Sequence, residues 1–284
     1  MWGHLGQMIP ITSTLCRSFR GPPAYGRTGT WCFIEWNEWL MVSTLVTPAH
    51  SVIELGARYG TTSCMLAAAT NNSGRVVAVE PAKNVLTNLN DNRDAHCCRF
   101  HILSGTVSTI PLAMHGSSKG YNQRTMSANA TSHKRTPGVQ MLENFAVTDV
   151  EAATGSRINA ALIDCEGCIE AVLGAGDEVS PLLERLELLL IEEDRPDLAN
   201  YDAVHAKLRR LGFRNVWCAR EVPLGDAPLE GRRADTSIGE RIKHTGWQRG
   251  DLPARPTCDQ ALSRLALTHQ PPMQCLSAME CGGS

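Results

Sequence analysis

Short apolar runs alternate with amphipathic segments along the central part of the chain. The apolar runs are hydrophobic at most positions, which is typical of strands buried on both faces of a sheet. They lie at 51–55, 75–81, 98–108, 158–164, 187–194 and 213–219. The amphipathic segments predict helices at 33–46, 61–71, 82–94, 147–155, 168–176 and 201–212. Strands that alternate with helices favour an α/β fold with a doubly wound, mostly parallel sheet.

The two ends of the chain lack this pattern. Residues 1–30 are rich in Gly, Pro, Ser and Thr, so we expect a disordered N-terminal segment. An organellar transit peptide is the alternative, because the segment carries arginines and no acid precedes Glu35. From 220 to 284, charges, prolines and glycines break the periodicity and predict a largely irregular segment. The sequence therefore predicts one domain over 31–219, with a long polar loop at 117–137.

Composition and charge narrow the class of protein. The chain is 43% hydrophobic and 20% charged, which is ordinary for a soluble globular protein, and no apolar run reaches the length of a membrane span. A net charge of −2 lacks the basic footprint of nucleic-acid binders, so we expect no nucleic-acid partner. The eleven cysteines are odd in number, and several lie in predicted core elements. This favours reduced thiols and an intracellular, cytoplasmic location.

A glycine loop, "VIELGARYG", follows the first predicted strand. Glu54 precedes Gly56 and Gly60, and a glycine-rich turn between a strand and a helix lets backbone N–H groups approach a ligand. A dinucleotide fingerprint needs glycine where this chain has Arg58. An acid beside the loop would repel a pyrophosphate but can accept a hydrogen bond from an amino group. The loop therefore favours the methionine end of S-adenosylmethionine.

Glu80 stands at the tip of the second predicted strand, before Pro81. Its separation from Gly56 suits an acceptor for the two ribose hydroxyls of a nucleoside. The structural alternative is that the glycines serve tight packing and that Glu80 is a surface cap.

Asp164 and Glu166 stand in "DCEGC", between the fourth predicted strand and its helix. In an open α/β sheet, ligands bind beyond the carboxyl ends of strands where the strand order reverses. With the order 3-2-1-4-5, that crevice places Asp164 beside the glycine loop. A carboxylate there can take the proton of a hydroxyl acceptor, an effect of ~10²–10⁴-fold. We expect Asp164 to be the base or a metal or substrate ligand, with Glu166 assisting.

Cys165 and Cys168 flank Glu166. A zinc site needs four ligands, and no second cysteine pair has a suitable spacing. A thioredoxin-like motif would follow the first strand of its fold, and this one follows a late strand. We therefore assign no metal site and expect Cys168 to fill space in the helix.

Several segments between about 35 and 218 resemble the FkbM-type family of S-adenosylmethionine-dependent methyltransferases. The likeness lies in "VIELGARYGTTSCMLA", "GRVVAVEP", "INAALIDCEGCIEAVLGAG" and "LLLIEED". It implies a class I, Rossmann-like methyltransferase with S-adenosylmethionine as cofactor and a hydroxyl of a small molecule or sugar as acceptor. By this resemblance Asp164 and Glu166 lie on the reaction side. The predicted cofactor-binding residues are Glu54, Gly56, Ala57, Gly60, Glu80, Pro81 and Gly105.

Two other functions fit the same pattern. A nicotinamide-dependent oxidoreductase could use a related sheet, although the missing middle glycine at Arg58 counts against it. A non-catalytic binding protein could retain the fold without turnover.

Overall fold

The computed structural model describes residues 35–115, 124–127, 139–220 and 243–250. Its helices are α1 (Trp36–Leu45), α2 (Thr61–Ala69), α3 (Leu86–Ala95), α4 (Val147–Thr154), α5 (Ile169–Leu173), α6 (Pro181–Arg185) and α7 (Tyr201–Arg210). Its strands are β1 (Val52–Leu55), β2 (Val76–Val79), β3 (His101–Leu103), β4 (Leu112–His115), β5 (Arg124–Ser127), β6 (Val139–Met141), β7 (Ala160–Ile163), β8 (Leu188–Glu193), β9 (Phe213–Arg220) and β10 (Lys243–Arg249).

Seven strands form one sheet in the order β3-β2-β1-β7-β8-β10-β9. The first five are parallel to one another, and β10 is antiparallel to both of its neighbours. One face of the sheet packs against α1–α3 and the other against α4–α7. The predicted fold class, a doubly wound and mostly parallel sheet, is confirmed.

The central strands are buried on both faces, which explains their nearly continuous apolar sequences. All four residues of β1 are buried. Ile53 and Leu55 pack into the layer of α4–α7, whereas Val52 packs into the layer of α1–α3. Because side chains alternate along a strand, Glu54 shares the face of Val52. The same alternation determines which acidic side chains share a face of the sheet.

The predicted domain end at 219 leaves out a strand of the sheet. β10 lies within 220–284, which we expected to be largely irregular, and it pairs with both β8 and β9. Its sequence, "KHTGWQR", has no apolar run because Trp247 is its one large hydrophobic residue. At Gly246 an added Cβ would lie 2.4 Å from Cδ1 of Leu45, so a side chain here would displace the Leu45 side chain of α1.

A second sheet has three antiparallel strands in the order β5-β4-β6. β5 lies within 117–137, which we predicted to be a loop, and it pairs with β4 along its whole length. The other residues of that segment, and the segment 1–30 with its predicted disorder, lie outside the described residues.

Two disulfide bonds correct the expectation of reduced cysteines. Cys64 of α2 bonds Cys98, which stands 34 positions away in sequence but has its Cα only 5.3 Å distant. Cys165 bonds Cys168. Sequence spacing could not reveal the first pair, because the fold and not the chain brings α2 against the segment before β3. Across the described ranges, no helix is both long enough and apolar enough to cross a membrane.

Candidate active site

One pocket at the carboxyl ends of β1, β2 and β7 brings together most of the predicted site. Six predicted residues line it: Gly56, Glu80, Pro81, Gly105, Asp164 and Glu166. No sequence pattern assigns a role to the other lining residues, among them Glu35, Thr106, Met114, Thr125 and Leu142. Three of these belong to β4, β5 or the segment after β6, whose packing onto the main sheet has no local signature.

Gly56 brings the glycine loop directly against the "DCEGC" turn. Its φ is +99°, and an added Cβ would lie 1.5 Å from the backbone oxygen of Asp164. The Asp164 N–H donates to the oxygen of Leu55 at 3.0 Å. The two loops are therefore neighbours across the point where the strand order reverses, as predicted. The alternative that the glycines serve tight packing holds for Gly56, because a side chain at this position would push the two loops apart.

Glu54, Ala57 and Gly60 are not among the residues that line this pocket. The Glu54 side chain is 1% exposed, and its carboxyl accepts a hydrogen bond from the Ser63 hydroxyl of α2. Burial raises the pKa of Glu54 to about 8. Gly60 has a φ of +80° and packs against Leu89. These residues shape the loop from the α1–α3 side.

Glu80 is held in the pocket wall by backbone groups. Its Oε2 accepts from the N–H of Arg58 at 2.8 Å, and its Oε1 accepts from the N–H of Ala82 at 2.6 Å. Burial raises the pKa of Glu80, and these two hydrogen bonds together with the Arg58 guanidinium oppose that rise. Each carboxylate oxygen has capacity for a further hydrogen bond. The carboxylate is thus positioned to accept from two donors on a ligand.

The turn after β7 carries Glu166 in a left-handed conformation. Glu166 has a φ of +54° and Gly167 a φ of +101°, inside the turn that the Cys165–Cys168 disulfide closes. Burial, followed by the charge of Asp194, raises the pKa of Glu166 to about 8. Nη1 of Arg195 lies 3.6 Å from Glu166 Oε2. The backbone oxygen of Glu166 accepts from the Thr125 N–H, which ties β5 to this turn.

A layer of acids lies on the α1 side of the pocket. One oxygen each of Glu35, Glu38, Asp164 and Glu192 lies within 4.8 Å of the others. Burial raises the pKa of Glu38, Asp164 and Glu192, and the charges of neighbouring acids raise it further. From the sequence we predict no chemistry for Glu35, Glu38 or Glu192. The available signal was the three-residue spacing of Glu35 and Glu38, which places both on one side of a helix start.

Comparisons with known proteins give matches among solved structures alone. No protein-family model matches the chain, and no curated protein matches it. The FkbM resemblance therefore stays a prediction. Similar structures include a precorrin-6y C5,15-methyltransferase from Geobacter metallireducens GS-15, at 12% identity over 85% of this chain and 100% of that chain, with a TM-score of 0.46.

Two further similar structures are also methyltransferases by name. One is an rRNA methylase from Streptococcus thermophilus, at 10% identity over 76% of this chain and 95% of that chain, with a TM-score of 0.43. The other is a SAM-dependent O-methyltransferase from Thermotoga maritima, at 13% identity over 78% of this chain and 66% of that chain, with a TM-score of 0.42. The strand order itself shows a doubly wound, mostly parallel sheet. At these identities and TM-scores the likeness transfers no activity or substrate to this chain.

From the net charge we expected no nucleic-acid partner, and this exclusion is wrong. The solved structures that match this chain include a protein named an rRNA methylase. A net charge of −2 describes the whole chain, whereas an acceptor contacts one surface of it. Bulk charge therefore does not decide the class of acceptor.

Proposed function

We propose that this protein is an S-adenosylmethionine-dependent methyltransferase that methylates a hydroxyl oxygen. One observation carries the proposal: the glycine loop, Glu80 and the acids of the "DCEGC" turn line one pocket at the reversal of the strand order. Ligands of open α/β sheets bind at this place.

The residues present fit the cofactor. Glu80 would accept from the ribose hydroxyls, because its carboxylate is fixed by two backbone N–H groups and each oxygen can accept once more. Gly105 and Pro81 would form the pocket wall beside it. When bound, S-adenosylmethionine supplies an electrophilic methyl group.

Glu166 and Asp164 would serve the acceptor side. Glu166 lines the pocket with its side chain 33% exposed, so an acceptor hydroxyl can reach its carboxyl. The Cys165–Cys168 disulfide and the contact with Thr125 fix the turn that carries it. Glu166 would accept the hydroxyl proton, and Asp164 would orient the acceptor. Met114 and Leu142 supply apolar wall that limits water.

Binding of S-adenosylhomocysteine tests the cofactor assignment directly. We expect saturable binding by calorimetry and a loss of about tenfold to a hundredfold in affinity for Glu80→Gln, because hydrogen bonds to a charged group contribute ~1.5–3 kcal/mol. The matched control is Glu151→Gln. Glu151 also accepts from a backbone N–H, that of Ile158, but it does not line this pocket.

The outcomes separate the alternatives. Folded protein that does not bind S-adenosylhomocysteine, or equal affinities for Glu80→Gln and Glu151→Gln, would overturn the cofactor assignment. Binding of NADH in its place would support the oxidoreductase. A transfer assay with labelled S-adenosylmethionine then compares pools of small hydroxyl compounds and of RNA. Cofactor binding without transfer to either pool would support the non-catalytic binding protein.

A further inference from the structure

Two overlapping groups of potential metal ligands lie at the carboxyl ends of β7 and β8. The first contains Glu35, Glu38, Asp164 and Glu192, and the second contains Glu38, Glu192 and His244. Within each group, one ligand atom per residue lies within 4.8 Å of all the others. When a metal ion binds its ligand atoms at ~2.0–2.4 Å, two ligand atoms on opposite sides of the ion lie up to ~4–4.8 Å apart. One ion can therefore contact every member of such a group.

The sheet brings three of these residues together. Ile163 of β7 and Ile191 of β8 are register partners, so the residues that follow them, Asp164 and Glu192, are also neighbours. His244 is the direct antiparallel partner of Glu192. Alternation along the strands directs these side chains to the face that α1 covers, where Glu38 lies. The group is thus an internal feature of the fold and not a patch of surface acids.

Two buried side chains in the group have an atom without a hydrogen-bond partner. The Glu38 side chain is 2% exposed; its Oε2 accepts from the Thr62 hydroxyl at 2.8 Å, while its buried Oε1 has no partner. His244 is 3% exposed, and its buried Nδ1 has no partner. Its Nε2 lies 3.6 Å from Oε1 of Glu192, beyond normal hydrogen-bond length. A buried polar atom without a partner destabilises the folded state, so the arrangement favours an additional ligand.

Electrostatic repulsion favours a cation as that ligand. Ionised carboxylates this close repel one another more strongly in the protein interior than in water, because the effective dielectric constant is lower there. The two groups contain four carboxyls, and the charge of the Arg58 guanidinium acts on one of them, Asp164. Shared protons could also reduce the repulsion, and the side chains of Asp164 and Glu192 do form a hydrogen bond. A shared proton does not, however, give a partner to Glu38 Oε1.

We propose that Glu38, Glu192 and His244 bind a divalent transition-metal ion. Mixed carboxylate and imidazole ligands suit Mn²⁺, Fe²⁺ or Zn²⁺ better than Mg²⁺ or Ca²⁺, which prefer oxygen alone. Glu35 and Asp164 also line the pocket, which gives the ion a route of entry. The proposal does not rest on methyl transfer, because its ligands and its test are independent of the cofactor.

Titration of the full chain with Mn²⁺ tests the site. After removal of metals with EDTA and dialysis, electron paramagnetic resonance follows the loss of the free Mn²⁺ signal. We expect saturation near one ion per chain and a loss of affinity of at least about tenfold for Glu192→Gln. Glu193→Gln is the matched control. Glu193 is the next residue of the same strand and is buried, but it faces His205 and Thr245 on the other side of the sheet.

A second variant keeps the test decisive if Glu192→Gln does not fold. Glu38→Gln retains an oxygen that can accept from Thr62, and circular dichroism verifies its fold; we expect the same loss of Mn²⁺ affinity. Wild-type protein that does not saturate with millimolar Mn²⁺ would overturn the proposal in favour of shared protons. A Glu38→Gln variant that binds Mn²⁺ as tightly as the Glu193→Gln variant would also overturn the proposal. S-adenosylhomocysteine binding is measured separately in EDTA, where no metal ion is bound. A failure of the metal-site proposal is then distinct from a failure of the methyltransferase assignment.

Discussion

Single residues in this protein position loops as much as they supply chemistry. Gly56 has no free space for a side chain, because the backbone of Asp164 occupies it. Glu80 has both of its oxygens fixed by backbone N–H groups before any ligand binds. The sequence pattern singles out both positions, but the close contact between the glycine loop and the "DCEGC" turn is a property of the fold. A residue can therefore be essential to the pocket without touching a ligand.

Gly56→Ala should destabilise the protein by at least about 3 kcal/mol, because it adds a steric overlap to the cost of a left-handed backbone. Urea unfolding followed by circular dichroism measures the change. Gly155→Ala is the matched control, since Gly155 has a φ of +64° and nothing within 4 Å of an added Cβ. We expect that variant to lose about 1 kcal/mol. Equal losses for the two variants would contradict the overlap.

At the scale of elements, the sheet depends on a strand that the sequence pattern does not show. In the order of the main sheet, β10 joins β9 to β8. It also places the fully buried Trp247 in the core and His244 beside Glu192. The hydrogen bonds to β8 and β9 and the buried side chain of Trp247 hold β10 in the sheet, whereas β8 is held by a continuous run of buried apolar side chains. Element prediction fails here because the stabilising contacts come from both neighbouring strands.

A chain that ends at residue 219 should therefore fail to fold cooperatively, whereas a chain that ends at residue 250 should fold. Loss of β10 detaches β9 from the sheet and exposes an edge of β8, and exposed hydrophobic edges promote aggregation. Both chains would be expressed from residue 31 and compared by size-exclusion chromatography and thermal melting. A monomeric 31–219 chain with a cooperative transition would show that β10 is dispensable.

At the scale of the whole molecule, buried acids give the fold an unusual pH dependence. Glu54 is buried, and its pKa is raised to about 8. The folded state consequently holds this proton more tightly than the unfolded state between the ordinary pKa of a glutamate and about 8. The free energy of unfolding should fall as the pH rises through that interval, with a slope of up to ~1.4 kcal/mol per pH unit for this group.

Glu54→Gln should remove the contribution of this group, because the amide stays neutral and its oxygen can still accept from Ser63. We expect the variant to gain stability relative to the wild type between pH 5 and pH 8. Urea unfolding at both pH values, in EDTA, measures the difference, with Glu151→Gln as a carboxyl control outside the acid layer. If the wild type and Glu54→Gln differ by the same free energy at both pH values, Glu54 does not titrate as we infer.

The sequence by itself determined the parallel sheet, the position where its order reverses and six residues of the pocket. It could do so because burial on two faces produces continuous apolar runs, and because parallel strands present their carboxyl ends at one edge. Only the tertiary structure decided the role of β10, the Cys64–Cys98 bond and the meeting of Glu38, Glu192 and His244. These features depend on pairing between distant segments, and side-chain patterns within one segment do not encode which partner it meets.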